Sequence, residues 1–176
     1  MYDLEQIEFK GDKKFLSNMY NTEILFSESY LRDFEPYERI KIAGIEADEY
    51  IYNSSEHLYQ SLKSTSLIWK ELIRNTERPE NTKNLAKKRL KTLIADNVET
   101  FIIREDFHDI KIDIMRVCVL LKFLQNDQLQ KQLILIDNNI EERNCWGDKF
   151  WGTVNGFGEN WLGKILMETR DILIRD

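Results

Sequence analysis

The stretch "SSEHLYQSLKS", residues 54–64, carries four side chains able to act together. Wound as a helix at about 100° per residue, it places Glu56, Tyr59, Gln60 and Lys63 in one sector, with Leu58 and Leu62 nearly opposite. The leucines can anchor such a helix while a carboxylate, a phenol, an amide and an amine face one way. Glu56 and Lys63 stand two turns apart, roughly 10 Å along the axis. That is too far for an ion pair, yet it suits opposite ends of one small ligand. An ordinary solvated helix face would show the same spacing. His57 falls off the stripe and reads as a surface or core-edge histidine.

The second feature is "FWGTVNGFGENWLG", residues 150–163. Five of the seven glycines and three of the four tryptophans lie between positions 146 and 163, which raises the question of a phosphate-cradling loop. The Walker pattern fails, because Glu159 rather than lysine follows Gly158, and no Ser or Thr stands at the magnesium position. The dinucleotide fingerprint fails on register. What remains is a backbone that turns tightly, with Asn155 and Gly156 able to take positive φ. Asn160 is then expected to cap the following helix, whose first N–H groups could meet an anion. Trp151 could stack on a base or sugar, or the aromatics could simply pack over the turn.

The elements that must position these residues follow from periodicity and punctuation. Short strands are expected near Glu5–Phe9, Ile24–Phe26 and Ile40–Ile42, with "IEADEYIY" extended before the first helix. Ser27–Glu38, polar and containing Pro36, reads as exposed. Helices are expected over about Ser54–Ser64, Leu67–Asn75, the segment opening at Pro79, Ile110–Leu124 and Trp161–Leu173. "DQLQKQLILI" is a short helix or passes into a strand. Ile112, Met115, Val119 and Leu120 mark one buried face, and Leu162, Ile165, Leu166 and Ile172 another. The expected fold is α+β: a compact single domain over residues 1–176, predominantly helical with a small N-terminal sheet and a surface insertion around 27–47.

Composition narrows the function classes. With 42% hydrophobic and 32% charged residues, the chain reads as a globular domain of one core. No apolar run is long enough to cross a membrane, and the N-terminal residues lack the apolar region of a signal peptide, so a cytoplasmic location is expected. A net charge of −6 argues against broad phosphate-driven binding to nucleic acid, but leaves room for a local basic pocket such as "KNLAKKRLK". Cys118 sits in an apolar run as a core residue. Neither cysteine has a partner at metal spacing and only two histidines are present, so no metal site is expected; no cofactor is expected either.

Six blocks in order then add up to a resemblance: "FLSN" at 15–18, "SSEHLYQSLK" at 54–63, "PENTKNLAKK" at 79–88, "REDF" at 104–107, "IMRVCVLLKFLQN" at 114–126 and "FWGTVNGFGENWLGKILMETR" at 150–170. From Phe15 to Arg170 the chain resembles the NADAR (YbiA-like) family. Departures from its pattern are Met19 and Phe107, where the family has Phe and Trp, Ala86 for Gly, Thr153-Val154 before Asn-Gly, and the longer stretch over 27–47. Phe107 retains an aromatic face but loses an N–H donor, which bears on the choice of base.

That resemblance implies a metal-independent N-glycosidase cutting a ribose C1′–N bond. Some members act on phosphorylated ribosylamino-pyrimidine intermediates of riboflavin synthesis, and others remove ADP-ribose from guanine. The latter, de-ADP-ribosylation of nucleic acid, is the leading expectation here. Carried over, the resemblance implies Glu56, Lys63 and Asp148 as catalytic residues. Asn18, Tyr59, Gln60, Trp151, Asn155, Gly156 and Asn160 are expected to line the pocket. Phe107 would help hold the base, and Lys83, Lys87 and Arg104 the phosphates. The glycine-rich segment would be one wall of that pocket. Glu56 and Asp148 could serve as acid and base at an oxocarbenium-like centre, or Lys63 could form a Schiff base while Glu56 moves protons. The expected partner is a small ribosylated base or ADP-ribosylated nucleic acid, with no obligate protein partner implied. A silent module binding ADP-ribose or a nucleotide, and a helical interaction protein, are the competing classes.

Overall fold

The computed structural model describes residues 9–96 and 103–175, and for residues 88–96 the backbone alone. These fall into two compact units, one of residues 19–122 and one formed by the chain up to residue 18 together with residues from 123 onward. The fold is α+β and mostly helical, with one small antiparallel sheet.

In the 19–122 unit, β1 (Ile24–Leu25) pairs with β2 (Ile51–Tyr52), Ile24 opposite Tyr52. The ladder continues beyond the strands, with Phe26 N–H donating to Tyr50 O at 3.0 Å and Glu49 N–H to Phe26 O at 2.9 Å. The strand expected at Glu5–Phe9 lies outside the described residues apart from Phe9.

Between the strands the structure corrects two expectations. Residues 40–42 belong to a helix, α1 (Glu35–Ile42), not to a strand. Pro36 opens it, where a missing N–H is harmless. Tyr37 and Ile40, three apart, share its buried side, a spacing that outweighs the β-branched preference of "IKI". Nor is the segment 27–47 a plain surface insertion. Leu31, Tyr37, Ile40 and Ile45 are all buried. Phe26 and Tyr37 meet edge to face at 6.4 Å, and Ala47 N–H donates to the Tyr37 hydroxyl at 3.2 Å.

Helix α2 (Ser55–Ser61) starts at Ser54, whose Oγ accepts from His57 N–H at 3.2 Å. It packs against β2, α3 (Leu67–Arg74) and α4 (Pro79–Asp96). Trp69 of α3 is fully buried with Ile73 and Ala86, and its indole N–H donates to Gln60 O at 2.8 Å. Helix α5 (Phe107–Leu124) buries Ile114, Met115, Val117, Cys118 and Val119 through Leu121; its last two residues belong to the other unit.

That other unit contains α6 (Asp127–Ile134), started by Asn126, and α7 (Trp161–Arg175), which pack together; Leu129 and Leu133 of the first and Ile165 and Leu166 of the second are buried. Phe15 meets Phe123 edge to face at 6.3 Å. Arg170 ties α7 to the segment before the glycine-rich loop, donating to Ile136 O at 2.6 Å and Asn138 O at 3.2 Å. Among the described residues no helix is long and apolar enough to cross a membrane, and no group of His, Cys, Asp or Glu could hold a metal ion.

Because 27–47 supplies core side chains, Tyr37→Ala should lower unfolding free energy by about 3 kcal/mol or more. Urea denaturation reads this directly; a loss under about 0.5 kcal/mol would return the segment to the status of a dispensable surface excursion.

Candidate active site

The polar stripe on α2 is not a solvated face. All seven residues of the helix are buried, and Glu56, Tyr59 and Gln60 are 7%, 5% and 2% exposed. Burying such groups is costly unless they are paired, or unless the site needs them. Some pairing is present. Gln60 Nε2 donates to Glu56 Oε1 at 2.7 Å, which fixes the amide and leaves Gln60 Oε1 buried with no hydrogen-bond donor among the described residues.

Lys63 emerges just past the end of α2 into an aromatic corner. Its Nζ lies 5.1 Å from the Tyr59 ring centre and 5.4 Å from that of Phe107, and the two rings stand 5.8 Å apart at 59°. Among the described residues the amine has no hydrogen-bond acceptor. Burial lowers its pKa to about 8; Glu56 pulls it back up, while Lys83 and Lys87 push it down. A fraction of the amine is therefore neutral, and nucleophilic, near neutral pH. The position of Phe107 is thus that of a wall beside Lys63.

The expected basic residues divide. Lys83 and Lys87, one turn apart on α4, are close enough for their charges to act on Lys63. Arg104 is committed elsewhere: its guanidinium is bonded to Asp106, at 2.8 Å through one pair, and to Ala43 O. Its main-chain N–H donates to Lys63 O at 2.9 Å, so Arg104 fastens the end of α2.

His57, expected at the surface or the core edge, is fully buried. Its Nε2 donates to Thr76 O at 2.8 Å and its Nδ1 accepts from the Ser54 hydroxyl at 2.8 Å, because a carbonyl can only accept. Burial lowers its pKa. Ser54, His57, Thr76 and Trp69 form the frame that holds α2, and Ser-x-x-His at a helix start was its only trace in the sequence.

The glycine-rich loop, in the other unit, is built by side chains bonding to backbone. Asp148 Oδ1 accepts from Phe150 N–H at 3.1 Å and Trp151 N–H at 2.9 Å. Asn144 brackets Asp148, donating to its carbonyl at 2.7 Å and accepting from its N–H at 3.0 Å. Trp151 is half-buried, edge-on to Phe150 at 4.9 Å. Asn155 and Gly156 take the expected positive φ, 53° and 78°, in the exposed turn from Val154 to Phe157. Gly163 is demanded by close approach, since a Cβ there would lie 2.2 Å from Ile140 O.

Asn160 does not cap α7 with its side chain. Its Oδ1 accepts from Glu142 N–H at 3.0 Å and its Nδ2 donates to Ile140 O at 2.9 Å, so it ties the preceding segment to the helix start. Asn18 is buried. Sequence reasoning missed Asn144 and the Thr153 hydroxyl, which donates to Glu141 Oε1 at 2.6 Å.

A carboxylate and an amide buried on α2, with a partly neutral amine just past its end, suit proton transfer and covalent chemistry on a small ligand. The NADAR domain model matches residues 9–174, and the chain belongs to the NADAR domain family. The solution structure of the Escherichia coli protein YbiA shares the fold, with a TM-score of 0.71 at 22% identity over 99% of this chain and 88% of that one. The N-glycosidase YbiA of Shigella flexneri serotype 5b is 27% identical over 142 residues, 80% of this chain and 82% of that protein. The N-glycosidase Npun_R5314 of Nostoc punctiforme is 30% identical over 132 residues, 73% and 78%. The riboflavin biosynthesis protein VVA0006 of Vibrio vulnificus is 32% identical over 121 residues, 68% of this chain but only 30% of that longer protein.

The Lys63 amine should titrate near 8 in a pH series of amine labelling read by mass spectrometry, and Glu56→Gln should lower that value further. A Lys63 titrating with the surface lysines would contradict the desolvated site.

Proposed function

We propose that this chain is an N-glycosidase that opens a ribose C1′–N bond, with Lys63 as nucleophile and Glu56 as proton carrier. The observation that carries it is the Lys63 amine, brought to about 8 by burial beside Tyr59 and Phe107, just past the end of the helix that bears Glu56. The names of the Shigella and Nostoc relatives support a general N-glycosidase role.

In the proposed sequence the ribose is linked through an exocyclic amine. The nitrogen lone pair expels the ring oxygen, which takes a proton from Glu56, and an iminium forms at C1′. Neutral Lys63 adds to C1′, the base leaves as its amine after gaining a proton, and a Schiff base to Lys63 remains. Water attacks this bond, returning the free amine and releasing the sugar as an aldehyde. Tyr59 and Phe107 flank the reacting carbon. Gln60 holds Glu56 through its N–H, and its unpaired Oε1 is placed to accept from a donor of the substrate. Asp148 enters as the residue that shapes the Trp151 turn, since its Oδ1 already holds two backbone N–H groups.

For the leaving group we favour guanine carrying ADP-ribose. Lys83 and Lys87 stand one turn apart, about 6 Å at their Cβ atoms, a spacing that suits two linked phosphates better than one. The second candidate is a phosphorylated ribosylamino-pyrimidine, which the name of the Vibrio relative supports.

Borohydride added during turnover should trap the sugar on Lys63, located by peptide mass spectrometry, and Lys63→Ala should give neither adduct nor product. An active enzyme with no adduct would overturn the lysine route. Glu56→Ala separates catalysis from silent binding: cleavage falls at least about 100-fold while ligand affinity persists. The rate should also rise with pH through about 8, because only the neutral amine attacks; a rate that falls across that range would contradict the assignment.

A further inference from the structure

A second charged cluster lies around α2 from Glu56 and Lys63. Its centre is Asp48. The Asp48 Oδ2 accepts from the Tyr52 hydroxyl at 2.6 Å and stands 4.0 Å from Lys70 Nζ and 3.9 Å from an Arg74 nitrogen. Ser61, about 140° around the helix from Glu56, acts on the Tyr52 phenol from the α2 side and lowers its pKa, against the larger effect of burial. The proposed chemistry uses none of these groups.

Charge in the cluster does not balance. Lys70, Arg74 and Asp48 side chains are 16%, 19% and 16% exposed, so two cations share one carboxylate in a partly desolvated place. Both separations exceed hydrogen-bond length. Burial lowers the Lys70 pKa; Asp48 raises it, and Arg74 and Arg104 lower it further. Arg104 already has Asp106. A surplus of positive charge at a half-closed site is relieved by an anion.

Tyr50 adds a flat surface. The Arg74 guanidinium carbon lies 3.9 Å from the ring centre, and the tyrosine is 53% exposed, so one face is taken and the outward face is open. The backbone between Asp48 and Tyr50 is strained: Glu49 has φ 57°, and the other described non-glycine residues with positive φ are Asp or Asn, which tolerate it better. Such strain persists where neighbours enforce it, and it gathers at ligand clamps. Here the Phe26–Glu49 and Phe26–Tyr50 backbone bonds enforce it.

We propose that Lys70, Arg74 and Tyr50 bind a nucleoside phosphate, the phosphate on the ammonium and the guanidinium edge and the base on the outward face of Tyr50. This site does not depend on the glycosidase reading, and it fills whether or not any bond is cut. The ligand is either a free nucleotide or one residue of a single strand, in which bases stack on aromatic faces in the same way.

Calorimetric titration of the full chain tests this with adenosine 5′-monophosphate, inorganic phosphate and a short single-stranded oligonucleotide. The Lys83→Gln, Lys87→Gln double variant serves as the background, since it removes the two cations assigned to phosphate at the other site. In that background the monophosphate still binds. Lys70→Gln and Arg74→Gln each weaken it about tenfold or more, and Tyr50→Ala weakens it while sparing inorganic phosphate. Tyr50 is exposed, so its arm stands even where a cation variant loses its fold. An oligonucleotide bound more tightly than the monophosphate, with the same sensitivity, assigns the strand; equal affinity assigns the free nucleotide. Absence of binding, or binding indifferent to all three substitutions, overturns the proposal.

Discussion

The burial of α2 is the constraint on which the site depends. A helix of seven residues has no stability of its own, and this one turns polar groups into the interior. It persists because its ends and flanks are fastened: Ser54 holds its first turn, His57 reaches Thr76 O, Ser55 reaches Cys118 O, Trp69 bonds the Gln60 carbonyl, and Arg104 bonds the Lys63 carbonyl. Leu58 and Leu62, both buried, add the apolar anchor. With the backbone fixed in this way, Glu56, Gln60 and Lys63 have little freedom to leave for solvent. The depressed Lys63 pKa then follows from burial rather than from a special contact, and Glu56 opposes it only in part. Desolvation here keeps part of the Lys63 amine neutral near neutral pH.

The glycine-rich loop is held on a similar principle with different tools. Asp148, Asn144 and Asn160 each bond the backbone through their side chains, replacing the ladder that a strand would provide. Gly163 lets α7 come against the Ile140 carbonyl, and Asn155 with Gly156 reverses the chain. Such a loop is ordered by its own polar groups, so substitutions at Asp148 or Asn160 act first on loop shape. A loss of function there is no proof of direct chemistry.

Much of this was legible in the sequence, and the failures share a cause. Helical spacing located α2, and the segments at Leu67, Pro79, Ile110 and Trp161, because amphipathic periodicity is local. It also placed Glu56, Tyr59, Gln60 and Lys63 on one face. What it could not supply was the covering: the same spacing describes a solvated face, and only packing by α3, α4 and Phe107 makes it a buried one. Residues 40–42 look like strand by β-branching, yet become helix in which Tyr37 and Ile40 share a buried side. His57 and Asn160 were misjudged for a related reason. Their partners, Thr76 O, Ile140 O and Glu142 N–H, are backbone groups far along the chain, and no residue type announces a backbone partner. Arg104 shows the same limit, since its charge was visible while its commitment to Asp106 and Ala43 was not.

The central claim is that the buried face of α2 cuts an N-ribosyl bond. The most direct measurement offers the purified protein ADP-ribosylated guanine in DNA and a phosphorylated ribosylamino-pyrimidine, and follows release of the base by chromatography. The account predicts catalytic release from at least one of the two, faster from the ADP-ribosylated guanine. Release from neither, by a folded protein, would contradict it.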